Sequence, residues 1–323
     1  MSNRGAWVHP SIKAILLFGF AAYIAYLVKS DRILFYISPR MVLYVKLSAL
    51  GLYAAGAYQL YTAVAAYWGK RQTCDCGHDH SDNGAPWKSA IVYGLFAFPL
   101  LLGFLMPDTS LGSSLAAKKG MNLNSAASVK SSSAQPGQAG ASYREQPQEP
   151  VSGTTTSPTS SSAPPLSEAA GSGAQMEKLF PFEPFTEAFA KHARKLYKLN
   201  VIPVPEELYI ETLTTLDLYA EQFTGKKVKL SGFVYRDDTM NTRQFVIGRF
   251  SVQCCSADAA PFGVLVDYDR AAAYATDQWV EITGTIGRTK FDGSELMVVK
   301  AEQIAKIEPP KEQYVYPNSE FGS

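Results

Sequence analysis

Apolar residues are spread unevenly along the 323 positions of this chain: they crowd roughly the first hundred, thin out in the middle and alternate with polar residues in the last stretch. Positions 11–28 (SIKAILLFGFAAYIAYLV) form an unbroken apolar run. As a helix rising about 1.5 Å per residue, it covers most of the roughly 30 Å hydrocarbon core of a bilayer. A signal peptide is the competing reading, but the following KSDRILFYISPRM offers no small-residue cleavage site. Positions 41–68 make a second, longer run, with Lys46 near enough to one end to snorkel. Within it Gly51 and Ala55 lie one helical turn apart, which lets another helix approach closely. Positions 87–106 make a third run, opened by Trp87 and Lys88 and interrupted by Pro99, a residue that membrane helices tolerate with a kink. The pattern predicts an α-helical anchor of three spans over 1–110, with the chain ends on opposite sides of the membrane.

Ser, Ala, Gly, Pro and Thr then dominate 111–175, most purely after Lys118. Such a segment buries too little apolar surface to offset the entropy of ordering, so a disordered linker is expected. As a flexible coil it would span roughly 40 Å, at about 5 to 6 Å times the square root of its length. In 185–199 the positions Phe185, Ala188, Phe189, His192, Leu196 and Leu199 recur at helical spacing, and Pro203 and Pro205 follow. KKVKLSGFV (226–234) and QWVEITGTI (278–286) share strand-like alternation around Gly232 and Gly284, where a small barrel could bend sharply. The expectation for 176–310 is a small mainly-β domain, an OB-like barrel with a preceding helix, with a small β-sandwich as the alternative; 311–323 is read as a tail. In 244–268, Phe245 and Ile247 share one parity while Phe250, Val252 and Cys254 share the other. A β-bulge near Gly248 would account for the switch, turning Cys254 inward and placing Cys255 on the face of Arg249.

Charge changes this picture little. A net charge of +1 gives no electrostatic reason to expect nucleic acid as a partner. Cations on the two expected membrane sides balance: Arg4, Lys13, Lys70, Arg71 and Lys88 against Lys29, Arg32, Arg40, Lys118 and Lys119. Orientation is therefore read from the linker, whose composition suits an extracytoplasmic C-terminal domain. No phosphate loop, nucleophile elbow or paired carboxylates with a base are present, so neither an enzyme nor an organic cofactor is expected.

The chemistry lies in few residues. Four cysteines fall in two pairs, too few for a disulfide-stapled fold. In CDCGHDH, Cys74, Cys76, His78 and His80 stand at alternate positions between the second and third spans. Thiolate and imidazole together suit zinc or another soft divalent metal, and a short loop would hold it labile; a polar loop that merely joins two spans is the alternative. Cys254 and Cys255 form the second pair, and a disulfide between such neighbours would be strained. Arg249 and Asp258 admit a functional role or a structural one, as a salt bridge or a turn that closes the loop after the strand.

RFSVQCCSADAAPFG, the preceding VKLSGFVYR, YISPRM between the first two spans and PLLLGFLMPDTSLGSSLAAKKG after the third resemble the YcgQ-like family of predicted permease subunits. The resemblance covers both ordered parts and skips the linker, and Arg249, Cys254, Cys255 and Asp258 carry its most specific motif. It implies a multi-pass protein of the bacterial cell membrane, an accessory subunit paired with a separate multi-spanning permease. It further implies that a metal ion, zinc foremost, is captured or handed over, and it brings no catalytic residue. The other class of reading is an envelope adaptor whose barrel binds a protein or glycan and whose cysteines are incidental.

Overall fold

The computed structural model describes residues 7–68, 86–106, 110–126, 173–291 and 293–322. The loop holding Cys74, Cys76, His78 and His80 lies outside the described residues, as does most of the expected linker.

Three helices open the chain: α1 (Val8–Lys29), α2 (Val42–Tyr67) and α3 (Pro86–Leu105). Two helical stretches, Val8–Lys29 and Pro39–Tyr67, are long and apolar enough to cross a membrane. The third helix has 20 residues, of which Ser89–Leu105 is apolar, and it runs through Pro99 without ending. Leu43, Leu47, Leu50, Leu95 and Leu105 are exposed, so these helices are apolar around much of their circumference, as membrane helices are. Trp7 meets Tyr67 and Phe18 meets Tyr53, which makes α1 antiparallel to α2. His9 Nδ1 lies 3.0 Å from the Tyr93 hydroxyl and Tyr23 packs on Phe104, so α1 runs parallel to α3. The chain therefore passes up, down and up, leaving Lys29, Val42 and Leu105 at one end. Gly56 lets α1 approach: a Cβ there would stand 3.2 Å from the Phe18 ring.

The rest is mainly β. Strands β1 (Val201–Pro203), β2 (Lys227–Tyr235), β3 (Gln244–Ser251), β4 (Ala260–Asp267), β5 (Trp279–Phe291), β6 (Ser294–Lys306) and β7 (Tyr314–Val315) form a seven-stranded sheet ordered β1-β2-β5-β6-β4-β3-β7. A further pairing of β2 with β3 brings the five longer strands back on themselves. Within that ring β4 and β6 run parallel and the other pairs antiparallel. Gly232 stands where β2 crosses β3, and a Cβ on it would come 2.5 Å from the Gly248 carbonyl oxygen.

Around the sheet lie α4 (Ser113–Lys119), α5 (Gly173–Leu179), α6 (Glu187–Tyr197), α7 (Tyr209–Leu218) and α8 (Ala220–Phe223). Helix α6 turns Ala190, Ala193 and Leu196 inward; of the expected face only Leu196 is buried, Ala188, Phe189 and His192 are half-buried, and Phe185 and Leu199 lie outside the helix and are exposed.

Two cores flank β3. Phe245 and Ile247 join Val228, Leu230, Val264 and Ile282 in the larger core, which α6, α7 and α8 close. Val246, Phe250 and Val252 join Phe233, Leu265, Trp279 and Tyr314 in the smaller, which Ala116 of α4 enters. This corrects the expected bulge near Gly248: the register of β3 on β4 runs unbroken from Gln244↔Asp267 to Ser251↔Ala260. The parity switch arises because both faces of the strand are buried. A register shift does occur in β5, between Thr283 and Gly284.

The linker boundary also moves. Residues 110–126 pack on the β-domain: Ser113 N–H donates to Asp277 Oδ1 at 2.6 Å, and Asn122 exchanges backbone hydrogen bonds with Pro261 and Gly263. Leu111, Leu115, Met121 and Leu123 are few, and in sequence they vanish among Ser, Ala and Gly; in space they cover one face of β3. The expected tail is ordered too, because β7 pairs with β3 and Asn318 N–H donates to Glu211 Oε1 at 2.7 Å.

Candidate functional site

Strand β3 ends at Ser251, and Val252 is pinned by its N–H to the Val315 carbonyl. Beyond it the backbone curls around the Asp258 carboxylate, which accepts N–H groups from Gln253 at 2.8 Å, Cys254 at 2.7 Å and Cys255 at 3.2 Å. A short 3₁₀ turn, Ser256–Asp258, completes the loop. Asp258 therefore closes the turn after the strand, and Arg249 does not reach it.

Because the strand has ended, its alternation no longer separates the two cysteines. Their sulfurs lie 3.6 Å apart, and with an Asp258 oxygen they form a cluster whose ligand atoms are all within 4.8 Å of one another. Cys254 is exposed and Cys255 half-buried. The expected inward position of Cys254 is thus overturned, for the physical reason that the Asp258 carboxylate, not a sheet ladder, shapes this backbone. The hydrogen bond to Asp258, and next that to Cys255, push the Cys254 thiol up to about 11. Burial works against ionised Asp258, yet the hydrogen bonds from the Cys254 thiol and the three N–H groups together hold its carboxyl below the usual range.

Arg249 continues the inward parity of Phe245 and Ile247 and is 1% exposed. Its Nε donates to the Ser231 carbonyl at 3.1 Å, and its Nη2 donates to Ser231 Oγ at 2.9 Å and Glu206 Oε1 at 2.7 Å. The guanidinium also lies over the rings of Tyr209 and Trp279. It joins β2 and β3 to the entry of α7; its contacts are with Ser231, Glu206, Tyr209 and Trp279 and not with Cys255, whose face it was expected to share.

The cysteine loop is gripped from two sides. Lys119 Nζ at the end of α4 donates to the carbonyls of Ala257 and Ala259. From the other side comes the connection between α1 and α2. Ile37 forms an antiparallel bridge with Cys255, Ser38 N–H donates to the Cys254 carbonyl at 3.0 Å, and Ser256 N–H donates to the Tyr36 carbonyl at 2.8 Å. Arg40 donates through Nε to the Gln253 carbonyl at 2.9 Å, and its Nη2 reaches the same oxygen. YISPRM and QCCSAD, far apart in sequence, are thus one structure. Beside them opens a cleft of about 370 Å³ lined by Ser38, Arg40, Glu206, Glu207, Glu312 and Glu320 among others. The sequence marked YISPRM and the cysteine segment only separately, as stretches that carry the family resemblance; their contact was not foreseen.

Two domain descriptions match this chain: the DUF1980 N-terminal domain over residues 12–122 and the DUF1980 C-terminal domain over residues 180–317. The first extends past the spans to residue 122, and so takes in α4. The UPF0703 protein YcgQ of Bacillus subtilis is 24% identical over 320 residues, covering 94% of this chain and 98% of its own length. A Streptococcus mutans protein, named as a proposed two-component membrane permease complex subunit, is 26% identical over 249 residues, covering 74% of this chain and 77% of its own length.

Proposed function

Because this chain belongs to the DUF1980 family, we propose that it is the membrane-anchored accessory subunit of a two-component permease and that it captures or hands over a soft metal ion such as zinc. The anchor is multi-pass, with three spans, and the C-terminal domain is an OB-like barrel on the extracytoplasmic side of a bacterial cell membrane. It has no catalytic role. Support for the three spans comes from the up-down-up packing of α1, α2 and α3, each close to the length a bilayer requires. Support for the barrel comes from the strand order, in which β2 pairs with both β5 and β3 and only β4 and β6 run parallel.

The observation that carries the reading is the junction itself: the α1–α2 connection and the cysteine loop of the β-domain are hydrogen-bonded into one surface beside the membrane end of the helices. A domain held there stands beside any multi-spanning partner of the anchor, and three helices are too few to enclose a pathway alone. Gly51 faces outward with nothing within 4 Å of where its Cβ would be, leaving room for a partner helix. The metal part of the reading draws on the ligand chemistry of Cys74, Cys76, His78 and His80.

Gentle-detergent purification of the tagged full chain from native membranes is the test. A multi-spanning permease should co-purify and should be lost from a Gly51→Leu variant. Recovery of the chain alone, or with a soluble envelope protein or glycan, would replace this reading with that of an adaptor.

A further inference from the structure

We infer that Cys254 Sγ, Cys255 Sγ and the Asp258 carboxylate form a three-ligand site for one soft divalent cation of zinc's class, with a fourth coordination position open to solvent. Its purpose rests on the metal-handling reading above; its geometry does not. Two thiolates bound about 2.3 Å from a tetrahedral zinc lie roughly 3.8 Å from one another, whereas opposite ligands of a linear ion would lie about 4.6 Å apart. The observed sulfur separation is 3.6 Å, on the tetrahedral side of that comparison. The carboxylate supplies the third ligand from the same face, all ligand atoms lying within 4.8 Å of one another.

The site is preorganised. A carboxylate offers about four lone-pair positions, and three backbone N–H groups occupy three of those on Asp258. The Cys254 thiol hydrogen-bonds to the same carboxylate, so the acid is fixed in orientation with an acceptor on the thiol side. Binding exchanges the two thiol protons, released to solvent, for one divalent ion; no electrons move. Exposure of Cys254 leaves the fourth position free, an arrangement found where zinc must exchange a ligand rather than brace a fold. That suits an ion taken up and passed on. Oxidation to a bond between neighbouring cysteines is the weaker alternative, because Cα atoms about 3.8 Å apart across a trans peptide are closer than disulfides prefer.

The experiment uses the full chain in detergent with the other soft-ligand cluster disabled (Cys74→Ser, Cys76→Ser, His78→Ala, His80→Ala). Titrated with Co²⁺ and with Zn²⁺, this parent should hold one ion per chain, and the Co²⁺ form should show a thiolate-to-metal charge-transfer band. Adding Cys254→Ser or Cys255→Ser should abolish both signals while the thermal melting of the apo protein stays put. Asp258→Asn, which keeps an oxygen acceptor for the loop, should weaken binding and retain the band. A parent that binds no ion, or serine variants that bind as the parent does, would overturn the site. Permease co-purification by the serine variants is scored separately, so loss of the partner and loss of the ion are told apart.

Discussion

A guanidinium removed from water needs its charge matched, and Arg249 meets this with Glu206, two bonds to Ser231 and two aromatic faces, although its Nη1 is buried without a hydrogen-bond acceptor. Its partner is unevenly placed: the Arg249 side chain is 1% exposed and that of Glu206 43%. Glu206→Ala therefore strands a buried cation and should cost roughly 3 kcal/mol, the low end for a broken buried pair because water reaches this carboxylate. Arg249→Met, which removes the buried charge at similar volume and leaves Glu206 to water, should cost far less. Chemical denaturation of both variants checks the order, and equal losses would mean that the guanidinium matters by shape alone. Arg249 stood out in sequence only through its place in the motif with Cys254, Cys255 and Asp258; the expected bulge put it on the outer face with Cys255, so its buried role between β2 and β3 was not legible. The cysteine parity failed for a related reason: alternation holds only while a ladder does, and no sequence rule announced that three N–H groups would turn to Asp258.

Among the elements, those with an amphipathic period were readable and those without it were not. Helix α6, the first half of β2 and the middle of β5 carry the spacing of one buried face. Strand β3 is buried on both faces, which the sequence pattern imitates as a bulge. Helix α4 has only seven residues among small ones, and its order comes from outside, through Asp277 Oδ1 on the Ser113 N–H. Asp277 has a left-handed backbone, φ 66°, so Asp277→Gly removes the acceptor without straining the chain. A loss of about 1 kcal/mol, the worth of a helix cap, is expected, together with faster proteolysis within 110–126; an unchanged cleavage rate would show that α4 is held by apolar contact alone. Helices α6 and α7 meet at His192, whose Nε2 lies 3.2 Å from Thr212 Oγ1. Burial, and next Lys195, lower its pKa below the usual 6.5. The unfolded chain therefore binds this proton more readily, so the stability His192 contributes is present above pH 6.5 and is lost as pH falls through the lowered folded value. His192→Gln should flatten the fall in melting temperature over that range, and a variant that keeps the full slope would assign it to another group.

At the scale of the whole molecule the consequential contact joins residues 36–40 to residues 253–256, a pairing that no local pattern encodes because each segment alone reads as a loop. Its strength can be bounded. Each backbone hydrogen bond contributes about 1 kcal/mol net, so the two from Ser38 and Ser256, with Arg40 on the Gln253 carbonyl, amount to only a few kcal/mol. Docking of that size can be broken by a single substitution. Ser38 is the place to break it, because its φ of −64° already suits proline and the Cys254 carbonyl is where its N–H points. Ser38→Pro keeps the local backbone, deletes the donor and sets the ring against that carbonyl. Amide exchange at Ser256 should then rise toward that of an unprotected loop, while exchange in β5 and β6, whose ladders run to each other and to β2 and β4, stays at the wild-type rate. Arg40→Ala, which leaves both backbone bonds, should raise exchange at Ser256 less. Protection at Ser256 that survives Ser38→Pro would mean that the cysteine loop is shaped by Asp258 and Lys119 without help from the membrane part, and the junction would then be a resting contact and not a joint.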